Sequence, residues 1–426
     1  MSEKKTVCLL NDSFPPFIDG VANTVINYAQ ELPAAGYDPM VITPSHPEAD
    51  DSRYPYTITR YPSFPAVKFE GYPASIPFSP EVAGKVKEKD VALLHSHCPV
   101  MSTYMARQLR QIADVPIIFT YHTKFDVDIA NVLKGASLQN ACKKVLVSNI
   151  SACDEVWVVS QGAGENLQSI GYEGDYVVMP NGVDMPLGKA PQIDIDRATQ
   201  NYDLPDDIPV YLFVGRMMWY KGLRIIVDAL SQLKARGKQF CMVFVGGGEE
   251  AQEVQNYAAS CGIGDRCVFT GAIHDRTLLR GWYSRADLLL FPSTYDTNGL
   301  VVREAAASSV AAVLIKGSCA AEGISDGRNG FLIEETADAL AALLRRLTRQ
   351  QMHQAGTYAA GEIYLSWETA VKTAAERYAV VIDKYKSGDY PRKITSTEGV
   401  MKLNGEMMDI MRALRSVTRI HRDSIR

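Results

Sequence analysis

The sequence predicts an α/β chain of two similar domains, each built on a parallel sheet with helices on both faces. Short apolar runs rich in β-branched residues recur at Val7–Leu10, Met40–Thr43, Val91–His95, Ile117–Thr120, Val156–Val159 and Tyr176–Met179, and helical patterns separate most of them. A strand buried on both faces reads as continuously apolar, and a parallel neighbour requires a crossover helix. A polar, proline-bearing stretch then follows (PLGKAPQIDIDRATQNYDLPDDIP). After it the alternation restarts at Val210–Val214, Cys241–Val245, Cys267–Thr270, Leu288–Phe291 and Ala312–Ile315. Both halves also open alike, with a strand, a turn containing glycine and a helix: VCLLNDSFPPFIDGVANTV in the first and VYLFVGRMMWYKGLRIIV in the second. Two Rossmann-like domains facing each other across a cleft follow from this pattern.

The corresponding boundaries are 1–185 for the first domain, 186–208 for a linker and 209–365 for the second domain. A helix over 366–386 is expected to pack back on the first domain, and 387–426 forms a separate tail. At 426 residues, 46% hydrophobic and 22% charged, the chain has enough core for two or three globular units. Disorder and a disulfide-stapled miniprotein are thereby excluded. The net charge of −5 argues against generic nucleic-acid binding.

The opening residues hold only a short apolar run from Val7, so no signal-peptide core is expected, and no run approaches the length of a spanning helix. The eight cysteines lie mostly inside apolar stretches without paired short spacings, which reads as reduced, cytosolic and structural.

Four elements carry chemistry. In FPSTYDTNGLVVRE, Asp296 lies in a loop at a strand end, Gly299 near a helix start and Glu304 on the helix. Free N–H groups at a helix start hold phosphate, and an acid binds a hydroxyl pair. The alternative is a helix-start acid and an exposed helical Glu. Arg216 and Lys221 follow another strand, where a guanidinium and an ammonium suit a diphosphate leaving group; the alternative is a solvated basic turn. Asp19-Gly20 at the first helix start allows backbone to approach the same diphosphate. Gly246-Gly247-Gly248 with Ala251 formally matches a dinucleotide fingerprint. It follows the second strand of its domain, not the first, and so reads better as a tight strand-to-helix turn.

His95 and His97 in LLHSHCP and His122 in IIFTYHTKF fall near strand ends. A His-x-His pair on one strand is a metal-ligand geometry, so a metal-dependent hydrolase competes. Against it, no carboxylate cluster accompanies the pair, and one of these rings is expected to pack neutral and hydrogen-bonded. His122 is retained as functional.

Taken together, FPPFIDGVANTVINYAQELPAAGYDPMVITP, LLHSHCP, FTYHTKF, VVSQGAGENL, MPNGVD, VGRMMWYKG and the acid-x7-acid element Asp296 to Glu304 resemble the family-four group of retaining nucleotide-sugar glycosyltransferases of the GT-B fold. The resemblance spans roughly residues 6–385. It implies that Arg216 and Lys221 bind the donor diphosphate and stabilise it as leaving group, and that Glu304 holds the ribose hydroxyls. The backbone of Gly299, Leu300 and Val301 would assist the distal phosphate, Gly20 would lie close to the diphosphate, and His122 would contact the transferred sugar. The family usually carries Glu where this chain has Asp296, which bears on the sugar contact, and often a second glycine where it has Asp19. The implied donor is a nucleotide sugar, UDP-glucose foremost, with no divalent metal required by the motif.

PPFIDGVANTV and FTYHTKF look most like members that glucosylate diacylglycerol or other membrane lipids; a soluble small-molecule or glycan acceptor is the alternative. The tail adds a physical argument. From Arg392 it carries eight Lys or Arg and four Asp or Glu, a local +4, which leaves −9 on residues 1–391. In a helix, Met407, Ile410, Met411, Leu414 and Val417 would face opposite Arg412, Arg415, Arg419 and Arg422. Such a helix suits an anionic membrane surface, and a packing or dimer helix is its alternative. The expected location is cytoplasmic, peripheral on the inner face of the membrane.

Overall fold

The structure, a computed structural model, describes residues 4–17, 19–69, 72–75, 79–132 and 135–391. The tail arginines Arg412, Arg415, Arg419 and Arg422 lie outside the described residues. The chain forms two compact units, Met1–Pro180 together with the segment from Trp367, and Asn181–Ser366.

The first unit is built on strands β1 (Thr6–Leu10), β2 (Asp38–Pro44) and β3 (Thr57–Tyr61), an antiparallel pair β4 (Ser63–Phe69) and β5 (Tyr72–Ser75), then β6 (Val91–Ser96), β7 (Ile117–Tyr121), β8 (Glu155–Val158) and β9 (Val177–Val178). Seven of these form one parallel sheet in the order β3-β2-β1-β6-β7-β8-β9. The central strands β1, β6 and β7 are buried along their whole length, which is why they read as unbroken apolar runs. β3 is an edge strand with alternating burial, Thr59 and Tyr61 inward, so its sequence TITRY shows no such run.

Helix Trp367–Ser387 belongs to this unit and packs on helix Gly20–Glu31. Its buried residues Trp367, Ala370, Val371, Ala374, Ala375, Tyr378, Val381 and Ile382 recur at the three- and four-residue spacing of a single helical face. Tyr378 stacks on Trp157 with ring centroids 5.4 Å apart.

The second unit holds β10 (Val210–Val214), β11 (Cys241–Val245), β12 (Cys267–Gly271), β13 (Leu288–Phe291), β14 (Ala312–Ile315) and β15 (Phe331–Ile333). All are parallel, in the order β12-β11-β10-β13-β14-β15. The stretch 186–208, read as a linker, contains helix Gln192–Thr199, which packs on helix Arg276–Arg285. A side chain at Gly281 would sit 2.7 Å from Ala198 Cβ and 2.8 Å from the Asp194 carbonyl, so glycine permits the close crossing.

In each sheet the strand order reverses once, between β1 and β6 in the first and between β10 and β13 in the second. Open parallel sheets place ligands beyond the carboxyl ends of the strands at that reversal, where neighbouring crossovers leave in opposite directions. Arg216 and Lys221 follow β10, and Asp296 follows β13. Gly20 follows β1, and His97 follows β6.

Candidate active site

In the second unit, the loop after β10 is shaped by backbone packing. Gly215 N donates to the Val245 carbonyl, and Met217 N donates 2.8 Å to the Gly247 carbonyl. A Cβ on Gly246 would lie 1.8 Å from the Gly215 carbonyl oxygen, and one on Gly248 2.6 Å from that of Met217. Gly246 and Gly248 thus let two strand-end loops touch. Arg216 is held on this support and is exposed.

Lys221 closes a short 3-10 turn, Trp219–Lys221, whose first N–H donates 2.6 Å to Glu250. The next residue, Gly222, has φ +77°, and a Cβ there would sit 2.0 Å from the Pro292 carbonyl. The chain can take this left-handed step against the β13 loop only as glycine. It carries Lys221 inward to 8% exposure, where its Nζ donates 2.6 Å to Asp296 Oδ1. Asp296 Oδ2 accepts from the Ser293 hydroxyl at 2.6 Å. The ammonium also lies 5.3 Å from the ring centre of Tyr295 and 5.7 Å from that of Tyr220, and those two rings pack 4.7 Å apart. Lys221 is therefore no solvated turn residue.

Helix Leu300–Ala307 begins after Gly299, which has φ +57° and packs so closely on Ala320 that an added Cβ would sit 3.0 Å from that residue's own. Among the described residues no side chain caps this helix start, and the N–H groups of a first helical turn have no intrahelical acceptor. Leu300 and Val301 occupy that turn. Asn298, just before Gly299, buries both amide atoms without a partner among the described residues.

Glu304 lies one turn on and is buried. Its Oε1 accepts from Arg276 at 2.8 Å and its Oε2 from the Tyr283 hydroxyl at 2.8 Å, both on helix Arg276–Arg285. Arg276 also pairs with Asp184. Burial, reinforced by the Glu304 charge, pushes the Tyr283 phenol well above its ordinary value, so it stays a donor. Arg276, Tyr283, Ser293 and Asn298 escaped the sequence reading. Asp184 had a signal, since it ends the MPNGVD element.

In the first unit, helix Gly20–Glu31 is capped by Asp19, whose carboxylate accepts from Ala22 N at 2.6 Å. Gly20 starts the helix at an exposed position where a Cβ would meet nothing within 4 Å. His95 is fully buried and hydrogen-bonded through both nitrogens, Nδ1 to the Tyr378 hydroxyl at 2.6 Å and Nε2 to Thr120 at 2.7 Å. With both ring nitrogens engaged inside the fold, His95 has no lone pair left for a metal, and the His-x-His pair does not act as two ligands. Among the described residues no group of three or more His, Cys, Asp or Glu side chains is placed to hold a metal ion. His97 Nδ1 lies 3.0 Å from His122 Nε2, and the two rings stack. Among the described residues none of the eight cysteines forms a disulfide.

Burial drives the pKa of all three rings down, His95 and His97 well below the ordinary value and His122 to about 4, with Asp19 partly opposing the shift at His122. The unfolded rings, near 6.5, bind protons that the folded rings refuse. Stability is thus held above pH 6.5 and lost as pH falls towards 4. Urea unfolding is expected to show a lower midpoint at pH 5 than at pH 7.5; an equal or higher midpoint contradicts the buried neutral triad.

A cationic pair after β10, an acid after the adjacent strand β13 and an uncapped helix start thus lie at the carboxyl end of one parallel sheet. Residues 18–186 match the model of Glycosyltransferase Family 4, and residues 194–362 match that of Glycosyl transferases group 1, together well over half of the chain. The chain belongs to these glycosyltransferases and has their GT-B fold.

Among its relatives, the alpha-monoglucosyldiacylglycerol synthase of Streptococcus pneumoniae is 23% identical over 80% of this chain and 77% of its own length. The GDP-mannose-dependent alpha-mannosyltransferase of Corynebacterium glutamicum is 25% identical over 88% and 89%. The Arabidopsis thaliana sulfoquinovosyl transferase is 24% identical over 90% and 75%. Among solved structures, Anabaena HepE in complex with UDP and glucose superposes with a TM-score of 0.68 at 20% identity, covering 88% of this chain and all of the other. Among the described residues no helix is long and apolar enough to cross a membrane.

Proposed function

We propose that this glycosyltransferase moves a hexose, glucose from UDP-glucose foremost, onto a hydroxyl of a membrane lipid such as diacylglycerol, with retention of configuration. The observation that carries the reading is the placement of Arg216 and Lys221 after β10, with the Lys221–Asp296 pair bridging to the loop after β13 at the sheet's reversal point. Arg216, exposed, and Lys221, fixed by Asp296, neutralise the diphosphate as negative charge develops on it. The first-turn N–H groups of Leu300 and Val301, after Gly299, take the distal phosphate. Glu304 accepts from the ribose hydroxyls. Asp296 keeps lone pairs beyond those used by Lys221 and Ser293, and these accept from hydroxyls of the transferred sugar. His122 contacts that sugar, and Gly20 lets the backbone come close to the diphosphate.

In this reaction the bond from the anomeric carbon to the diphosphate oxygen breaks, and its electron pair leaves with the nucleotide. The acceptor oxygen bonds to the same face of that carbon, and its proton passes to the departing phosphate oxygen. This front-face course suits a site with no carboxylate assigned as nucleophile, and it calls for no divalent metal.

The lipid acceptor is supported by the relative named alpha-monoglucosyldiacylglycerol synthase, and by the charge of +4 carried from Arg392 onward. On this reading Arg412, Arg415, Arg419 and Arg422 meet anionic lipid and the enzyme works as a peripheral protein of the inner membrane face. The domain assignment that goes with it gives residues 1–185 to the acceptor and 209–365 to the donor. A matrix of UDP-, GDP- and ADP-sugars against diacylglycerol vesicles and soluble acceptors tests it. Product from UDP-glucose and diacylglycerol is expected. Transfer confined to soluble acceptors contradicts the lipid assignment.

A further inference from the structure

The MPNGVD element and the helix Arg276–Arg285 meet at Glu304 without any role in the charge arrangement around the diphosphate. Arg276 bridges two acids, Asp184 from the end of that element and Glu304. Tyr283, wholly buried, donates to the second Glu304 oxygen. Each carboxylate oxygen thus already has one fixed donor, and each keeps one lone-pair direction open. A carboxylate accepts only, so what it can still bind is a pair of hydroxyl donors spaced like its two oxygens.

We propose that Arg276 and Tyr283 are positioning residues that lock the Glu304 carboxylate in the orientation that selects the vicinal diol of a ribonucleotide, with Asp184 steering Arg276. This rests on the reading of Glu304 as the ribose contact and adds what fixes it. Without Arg276 the carboxylate rotates about its side chain, and the two open lone pairs no longer match 2′- and 3′-hydroxyls together. Affinity for the nucleotide then survives through the diphosphate contacts, while discrimination against the deoxy sugar disappears. The Arg276 guanidinium, partly exposed, suits this task because the desolvation that opposes its charge is outweighed by Glu304 and Asp184.

The test is calorimetric titration of the full chain with UDP, GDP and ADP and with their 2′-deoxy counterparts, taking the ratio of dissociation constants for the base bound most tightly. Wild type is expected to prefer the ribonucleotide at least about tenfold, the scale of one charge-assisted hydrogen bond. Arg276→Ala is expected to bring the ratio below about threefold, and Arg276→Lys to restore part of it. Asp184→Asn, which leaves the buried residues in place, is expected to lower the ratio too and gives the reading if Arg276→Ala fails to fold. Weaker binding of both nucleotides with an unchanged ratio in Arg276→Ala and Asp184→Asn overturns the positioning role while leaving the ribose contact standing. Absence of any preference in wild type overturns the ribose contact, and the positioning role with it.

Discussion

Arg216→Ala is expected to lower turnover at least about a hundredfold while leaving thermal stability unchanged, the rate loss corresponding to ~3 kcal/mol by analogy with deleting one oxyanion donor. Both halves of that expectation come from placement. Arg216 sits on a loop fixed by the backbone contacts of Gly215 and Met217 with β11 and its glycine turn, so removing the side chain disturbs no packing. Its exposed guanidinium is free to close on the diphosphate, and charge that develops only as the sugar leaves is stabilised more in the transition state than in the bound donor. The loss should therefore fall mainly on kcat. Near-wild-type turnover in this variant refutes the role.

Lys221→Met differs because Lys221 is built in. Its ammonium is 2.6 Å from Asp296, with side chains 10% and 23% exposed. Removing one partner of a fully buried pair costs about 3–5 kcal/mol, and the partial exposure of Asp296 brings the expected loss here to about 2 kcal/mol. Activity is expected to fall at least as far as in Arg216→Ala, by about a hundredfold or more. The double variant Lys221→Met with Asp296→Asn separates the two effects. Removing the stranded charge is expected to restore most of the unfolding free energy, measured in urea, and none of the turnover. Recovery of both would assign Lys221 a purely structural part.

The central strands were legible because burial on both faces leaves only apolar residues, and β10, β11, β13 and β14 fall on the runs that announced them. Of the edge strands, β9 and β12 also fell on predicted runs, whereas β3 and β15 did not. β15 is three residues long, β3 alternates, and neither offers a run to read. The helix inside 186–208 was hidden by its polar sequence, since it buries only Ile195 and Ala198. At the site, the residue types that bear charge stood at strand ends and could be read there. Which of them pair could not, because the chain brings the partners from far away. Asp296 lies 75 residues from Lys221, and Tyr378 lies 283 from His95. A histidine at a strand end looks the same in sequence whether it meets substrate or, like His95, a tyrosine from a distant helix. Nor does any local pattern announce that Tyr283 and Arg276, 21 and 28 residues before Glu304, converge on its carboxylate.

The central claim, glycosyl transfer from a nucleotide sugar with retention at a site built on Arg216 and Lys221, is tested most directly by the anomeric configuration of the product. Proton NMR of the glycolipid made from UDP-glucose and diacylglycerol should show the small anomeric coupling of an α-linked glucose, matching the donor. A β-linked product, or the absence of transfer from every nucleotide sugar and acceptor in the matrix, would contradict the account.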